Sequence, residues 1–210
     1  SRLLPVSASG SGGGLHVGEH NHQLSLTGSS LDGNTAHRGG AVSLEAANYD
    51  FVCNNSDFLD NIAASDGGGV FIGEGNLRPL FWEVRLSANS AARGGGVCAE
   101  QGNRDLAFER CSLSGNTAVE GGALALVEAN LDTLMTDCSL ADNTASQFGG
   151  GVLANRHNGF MQVNCSLTRN SAAYGGGVFL YDRNHNFTQT ECHMEGNEAS
   201  YGGAVGGFSS

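Results

Sequence analysis

The chain has 210 residues, a formal charge of −11, and 33 glycines against two prolines. An acidic surface repels phosphate backbones, which argues against nucleic-acid binding, and no apolar run of about 18 residues exists to cross a bilayer as a helix. There are no Gly-X-Y triplets, so the chain is not collagen-like, and 40% hydrophobic residues are too many for a disordered glycine-rich tail.

The chain opens on SRLLPVSASGSGGG, which lacks the basic and apolar regions of a signal peptide. The first strand signal is SGGGLHV, a partial copy of an element that returns throughout. AVSL follows at 41–44, GVFI at 69–72 and ALAL at 123–126, each alternating with period two behind a glycine pair. An asparagine lies about six residues beyond each glycine element: Asn21, Asn48, Asn76, Asn103, Asn130, Asn158 and Asn184. A second asparagine column, Asn34, Asn61, Asn89, Asn116, Asn143, Asn170 and Asn197, advances in steps of 27 residues, with one step of 28. Each of its members has an alanine two residues later, from Ala36 to Ala199, and a large apolar residue three residues earlier, from Leu31 to Met194. Two independent columns recurring in this way define a tandem array.

Turn residues punctuate each unit about three times, and no window of ten residues has helical periodicity. The expected fold is therefore all-β: a right-handed, single-stranded parallel β-helix of about seven coils of 27 residues. Three short strands are expected per coil, with the hand following from the preference of parallel crossovers. Stacking at about 4.8 Å puts each residue over its counterpart one repeat earlier, giving a rod roughly 35 Å long. The apolar column then fills the interior, the alanines line a tight bend, the asparagines form amide ladders, and the glycines permit a close corner. One domain spanning residues 1–210 is expected. Both ends break in mid-coil, so the chain reads as a segment of a longer protein whose neighbours continue or cap it.

GGAV at 39–42, GGAL at 121–124, GGAV at 202–205 and FLDN at 58–61 carry a likeness to a known family. The pairing of Gly-Gly-Ala-[Ile/Leu/Val] with Phe-x-x-Asn resembles the repeats of chlamydial polymorphic outer membrane proteins and related surface proteins. The resemblance implies a β-helical passenger displayed outside the cell, acting as an adhesin or scaffold. Elsewhere leucine or methionine replaces the motif's phenylalanine, and these 210 residues contain no stretch that reads as a membrane barrel or signal sequence.

Cys111, Cys138, Cys165 and Cys192 are spaced 27 apart and share a strand face with Leu113, Leu140, Leu167 and Met194. They read as a stack of small buried hydrophobes or as the bridges Cys111–Cys138 and Cys165–Cys192, since the coil spacing falls within the Cα window of a disulfide. No Cys-x-x-Cys motif points to zinc or redox chemistry. His16, Glu19, His20 and His22 together have the donor set for zinc or copper, but no other coil repeats them and His16 is expected to point outward. No metal or other cofactor is expected.

Polysaccharide lyases and hydrolases need clustered carboxylates on adjacent coils. The column Glu19, Ala46, Glu74, Gln101, Glu128, Arg156 and Asp182 instead separates its carboxylates with neutral or basic residues. Two outward columns look apolar: Ser43, Phe71, Cys98, Ala125, Leu153 and Phe179, then Ser25, Val52, Leu80, Ala107 and Leu134 with Trp82 nearby. Exposed apolar stripes mark partner surfaces, so Phe71, Cys98, Leu153, Phe179, Val52, Leu80, Trp82 and Leu134 are the expected interface. The column before the glycines runs Arg38, Asp66, Arg93 and Glu120, then Phe148, Tyr174 and Tyr201: an ion-pair ladder followed by an aromatic stack that could also grip a glycan. Asn54, Asn164 and Asn186 stand in acceptor sequons for N-glycosylation. The expected function is a non-enzymatic extracellular adhesin, stalk or filament segment that packs laterally on protein partners or on itself. The alternative is a glycan-binding or polysaccharide-degrading β-helix.

Overall fold

A computed structural model describes residues 2, 3 and 5–207; Ser1, Leu4 and residues 208–210 of the expected domain lie outside the described residues. The chain is a parallel β-solenoid with no helix, and hence no helix long and apolar enough to cross a membrane among the described residues. Each coil contributes strands to four stacked ladders. The second coil shows the order: Val52–Asn54, Asp57–Leu59, Ile62–Asp66 and Val70–Ile72. The first ladder has seven strands, and the second and fourth have eight each. Pairing joins the expected columns, for example Leu86 to Leu113 to Leu140 to Leu167, and every described pair is parallel.

The third ladder is the strand that sequence periodicity did not anticipate. The tetrapeptide after the ladder asparagine, as in Thr35–Arg38, was expected to be only a bend because of its alanine. It is an extended segment with a bulge, whose register shifts between Ala36 and Arg38. The ladder is reduced to single bridges through Ser90 and Arg93 and resumes as the four strands from Thr117–Glu120 to Glu198–Tyr201.

Corners are made by single residues in the left-handed region. In the second coil these are Asp50 (φ 57°), Asn55 (45°), Asp60 (55°) and Gly67 (66°). Asp and Asn tolerate this conformation better than most residues with a Cβ. Each corner turns the chain while its N–H still points along the rod: Asp50 donates to Leu77 O at 3.0 Å, Asn55 to Trp82 O at 2.9 Å and Asp60 to Ser87 O at 3.0 Å. The hydrogen-bond ladder thus continues around the bends, and these backbone donors keep their partners.

The interior is one apolar cluster, including Leu31, Phe58, Leu86, Leu113, Leu140 and Leu167 from the second ladder and Phe81, Phe108 and Met135 from the first. Beside it runs the main asparagine ladder. The Asn116 side-chain oxygen accepts from both the backbone and the side-chain nitrogen of Asn89, each at 3.0 Å. Its own amide nitrogen donates to Asn143 Oδ1 and Leu86 O, also at 3.0 Å each.

The second asparagine column is a ladder of backbone donors. Asn21, Asn48, Asn76 and Asn103 each give their N–H to the next asparagine's Oδ1 at 2.8–3.0 Å. Asn158 was expected to continue it and does not. His157 takes that place, donating its backbone N–H to Asn184 Oδ1 at 2.9 Å, while Asn158 is exposed. The physical cause is a corner one residue shorter than usual: Leu131 lies seven residues past Leu124, but its partner Asn158 lies six past Val152.

His157 is buried, its Nε2 sits 2.8 Å from Thr133 Oγ1, and its Nδ1 has no partner. Burial pulls its pKa down from 6.5 to about 4. The unfolded chain therefore binds a proton between those values that the folded chain refuses. Stability from a neutral His157 is complete above pH 6.5 and is lost as pH falls toward 4, by about 3 kcal/mol. Urea unfolding at pH 7 and pH 4.5 should show a larger acid loss for wild type than for His157→Asn, which restores the residue used in the other coils.

Candidate functional site

The third and fourth ladders meet at the glycine corner, and the molecule has a lateral groove there. One wall is the last residue of the third ladder: Arg38, Asp66, Arg93, Glu120, Phe148, Tyr174 and Tyr201, paired in that order. The floor is the middle of the fourth ladder: His16, Ser43, Phe71, Cys98, Ala125, Leu153 and Phe179. The far wall is the residue following those strands: Glu45, Gly73, Glu100 and Val127, then Asn155 and Tyr181 where the strand extends.

This arrangement corrects the first expected interface. Phe71, Cys98, Leu153 and Phe179 do point away from the main core, as the alternation required, but they are buried, with Cys98 at 0% and Leu153 at 6% exposure. No loop among the described residues covers them. The side chains of the near wall reach across the corner: the Arg38 guanidinium lies 4.5 Å from the Phe71 ring centre, and Phe148 lies 5.1 Å from Phe179. The bulged third ladder brings that wall close enough, a geometry that linear periodicity does not encode.

Two chemistries divide the groove. Toward the N-terminus it is ionic. Arg93 bonds Asp66 at 2.6 Å and Glu100 at 2.7 Å, and Arg38 pairs with Glu45 at 3.4 Å rather than with Asp66. Asp66, Cys98 and Glu100 cluster closely enough to suggest a metal, but Arg93 already neutralises both carboxylates, and burial holds the Cys98 thiol well above its ordinary pKa. Toward the C-terminus the groove is aromatic. Tyr174 and Tyr201 stack with centroids 5.0 Å apart and planes 10° apart, and Phe148 stands 5.3 Å from Tyr174. Tyr174 and Tyr201 lie face to face along the rod, and Tyr201 at the end of the stack is 64% exposed.

The second expected stripe remains at the surface. Val52, Leu80, Ala107, Leu134 and Met161 stand in register on the first ladder, half-buried except for exposed Met161. Trp82 is 36% exposed one column away.

The cysteine column is buried through Cys165 and half-buried at Cys192, and all of its sulfurs are free. Cys111 donates to Phe81 O at 3.3 Å and Cys138 to Phe108 O at 3.4 Å, so the column is the stack of small buried side chains, and the alternative bridges Cys111–Cys138 and Cys165–Cys192 are not formed. Asn164 and Asn186 are exposed at left-handed corners, while Asn54 is half-buried beside buried Ser56. His16, Glu19, His20 and His22 do not converge: His16 lies 3.8 Å from Glu45, His20 lies 3.9 Å from Glu19, and His22 stacks on Tyr49. In the carboxylate column Arg156 bonds Glu128 at 3.0 Å and Asp182 at 2.7 Å.

Sequence reasoning passed over Asn155 and Tyr181, which line a pocket of about 160 Å³ with Glu120, Phe148 and Leu153. Their signal was present in the far-wall column, where charged Glu45 and Glu100 recur. No protein-family model matches the chain, and no curated protein is significantly similar to it, so the groove is interpreted from its own chemistry.

Proposed function

We propose that this chain is a non-enzymatic structural or adhesive module of the cell surface or extracellular space, a stiff rod that packs sideways on protein partners or on copies of itself. The observation that carries this reading is the in-register apolar stripe Val52, Leu80, Ala107, Leu134 and Met161, flanked by Trp82. Contiguous apolar surface of this kind favours association. The rigidity of the rod supports the reading too, since two asparagine columns tie successive coils together. So does the engagement of Glu128 and Asp182 by Arg156, which leaves these carboxylates occupied with each other's counter-ion. The resemblance of the Gly-Gly-Ala and Phe-x-x-Asn motifs to repeats of chlamydial-type surface proteins implies a displayed passenger as its setting.

Sedimentation of the purified rod should show salt-resistant lateral association that Leu80→Glu with Leu134→Glu abolishes without loss of the β-sheet circular dichroism. A panel of acidic and neutral polysaccharides provides the opposing outcome: depolymerisation by the rod, lost in Glu74→Gln or Glu128→Gln, would sink the structural reading.

A further inference from the structure

The near wall of the groove supplies its own cation in two coils and a carboxylate in a third. Arg38 lays its guanidinium over the Phe71 ring and pairs with Glu45 across the groove. Arg93 occupies the same column, over buried Cys98, and bridges Asp66 to Glu100. The next residue in the column is Glu120. Here the wall carries a carboxylate, no arginine reaches over the floor, and the pocket lined by Glu120, Phe148, Leu153, Asn155 and Tyr181 opens.

Glu120 makes no ion pair among the described residues, and Asn155 Oδ1 is buried without a donor. The Phe148 and Tyr181 rings stand 5.6 Å apart at 52°. A buried carbonyl oxygen with no partner is costly, and its residue lines a pocket that also has an unpaired carboxylate and two aromatic rings. Each of these groups recognises the same chemistry. The carboxylate accepts two parallel N–H bonds from a guanidinium, the Asn155 amide, turned toward the pocket, takes a third, and the rings attract a flat, weakly hydrated cation. An ammonium would satisfy the charge but not the fork or the stacking. The net charge of −11 steers a basic partner toward the rod.

We infer that this pocket receives an arginine side chain from a partner polypeptide, in the manner in which Arg38 and Arg93 fill the neighbouring coils in cis. The site is separate from the apolar stripe, so its failure would leave the lateral-packing reading standing.

The test uses the whole chain, isotope-labelled, titrated with three blocked Gly-Ser-X-Ser-Gly peptides in which X is arginine, lysine or citrulline. The arginine peptide should give saturable shifts centred on the Asn155 side-chain amide and Tyr181, with citrulline at least about tenfold weaker and lysine intermediate. Glu120→Gln should weaken the arginine peptide about tenfold. Glu120→Arg should abolish binding by placing the guanidinium in cis, and Glu74→Gln should leave binding unchanged. Equal binding of the citrulline peptide, shifts spread over the acidic surface that fall equally in Glu74→Gln, or no saturation at millimolar peptide would each overturn the assignment. A free blocked arginine amide matching the peptide in affinity would do the same for a polypeptide partner.

Discussion

Asn116→Asp should prevent the rod from folding under conditions where wild type is stable, and Asn116→Ala should cost about 3–5 kcal/mol. The two substitutions remove different things. Alanine deletes an oxygen that serves the Asn89 backbone and side-chain nitrogens and an amide that serves Leu86 O and Asn143 Oδ1. Asn116 is 0% exposed, so no water replaces these partners. Two or three orphaned buried groups at about 1–3 kcal/mol each give the alanine figure. Aspartate keeps the shape and the acceptor but cannot donate as a carboxylate. It would bring a negative oxygen against Leu86 O and Asn143 Oδ1, and burying an unpaired charge costs more than losing a hydrogen bond. Urea denaturation followed by circular dichroism measures both. An aspartate variant as stable as the alanine one at neutral pH would show that the ladder's donors contribute little.

Gly95→Ala should be strongly damaging for a single methyl addition, at more than about 4 kcal/mol. A Cβ at Gly95 would stand 2.5 Å from both Gly122 O and Thr117 O of the next coil, and 2.7 Å from Thr117 N. All three are backbone atoms, so no side chain can rotate away. Coils must part instead, loosening Gly95 N–H to Gly121 O at 3.1 Å and its neighbour Gly96 N–H to Gly122 O at 3.2 Å. Gly102→Ala is the matched control. It adds the same methyl at a left-handed corner (φ 73°) where nothing lies within 4 Å, so only the conformational penalty of about 1–2 kcal/mol remains. Comparable losses at the two positions would mean that coil contact at the glycine corner is looser than described.

Much of this was legible from one chain because a solenoid repeats its environment. Leu113, Asn116 and Ala118 each recur at the same spacing, and stacking converts spacing into contact without any knowledge of long-range folding. The core and the main asparagine ladder followed directly. The second column failed only at Asn158, where a one-residue change in corner length is invisible to motif alignment but decisive for which side chain enters the interior. The candidate site was less readable. Arg38, Asp66, Arg93 and Glu120 were seen as one ladder running along the rod; Arg93 does bond Asp66 in that way, but Arg38 turns across the groove to Glu45 and Arg93 also reaches to Glu100. The alternation Val70, Phe71, Ile72 correctly put Phe71 on the outer face, yet outer does not mean exposed when an adjacent wall folds over it.

By itself the sequence determined the coil length, the columns and the sign of the surface charge, because these are properties of residue type and spacing. Only the tertiary structure decided where the chain bends, which outward columns are covered and where a pocket opens. Those depend on the left-handed corners and the bulged third ladder, whose backbone geometry is settled by stacking against neighbouring coils and not by the local residues alone.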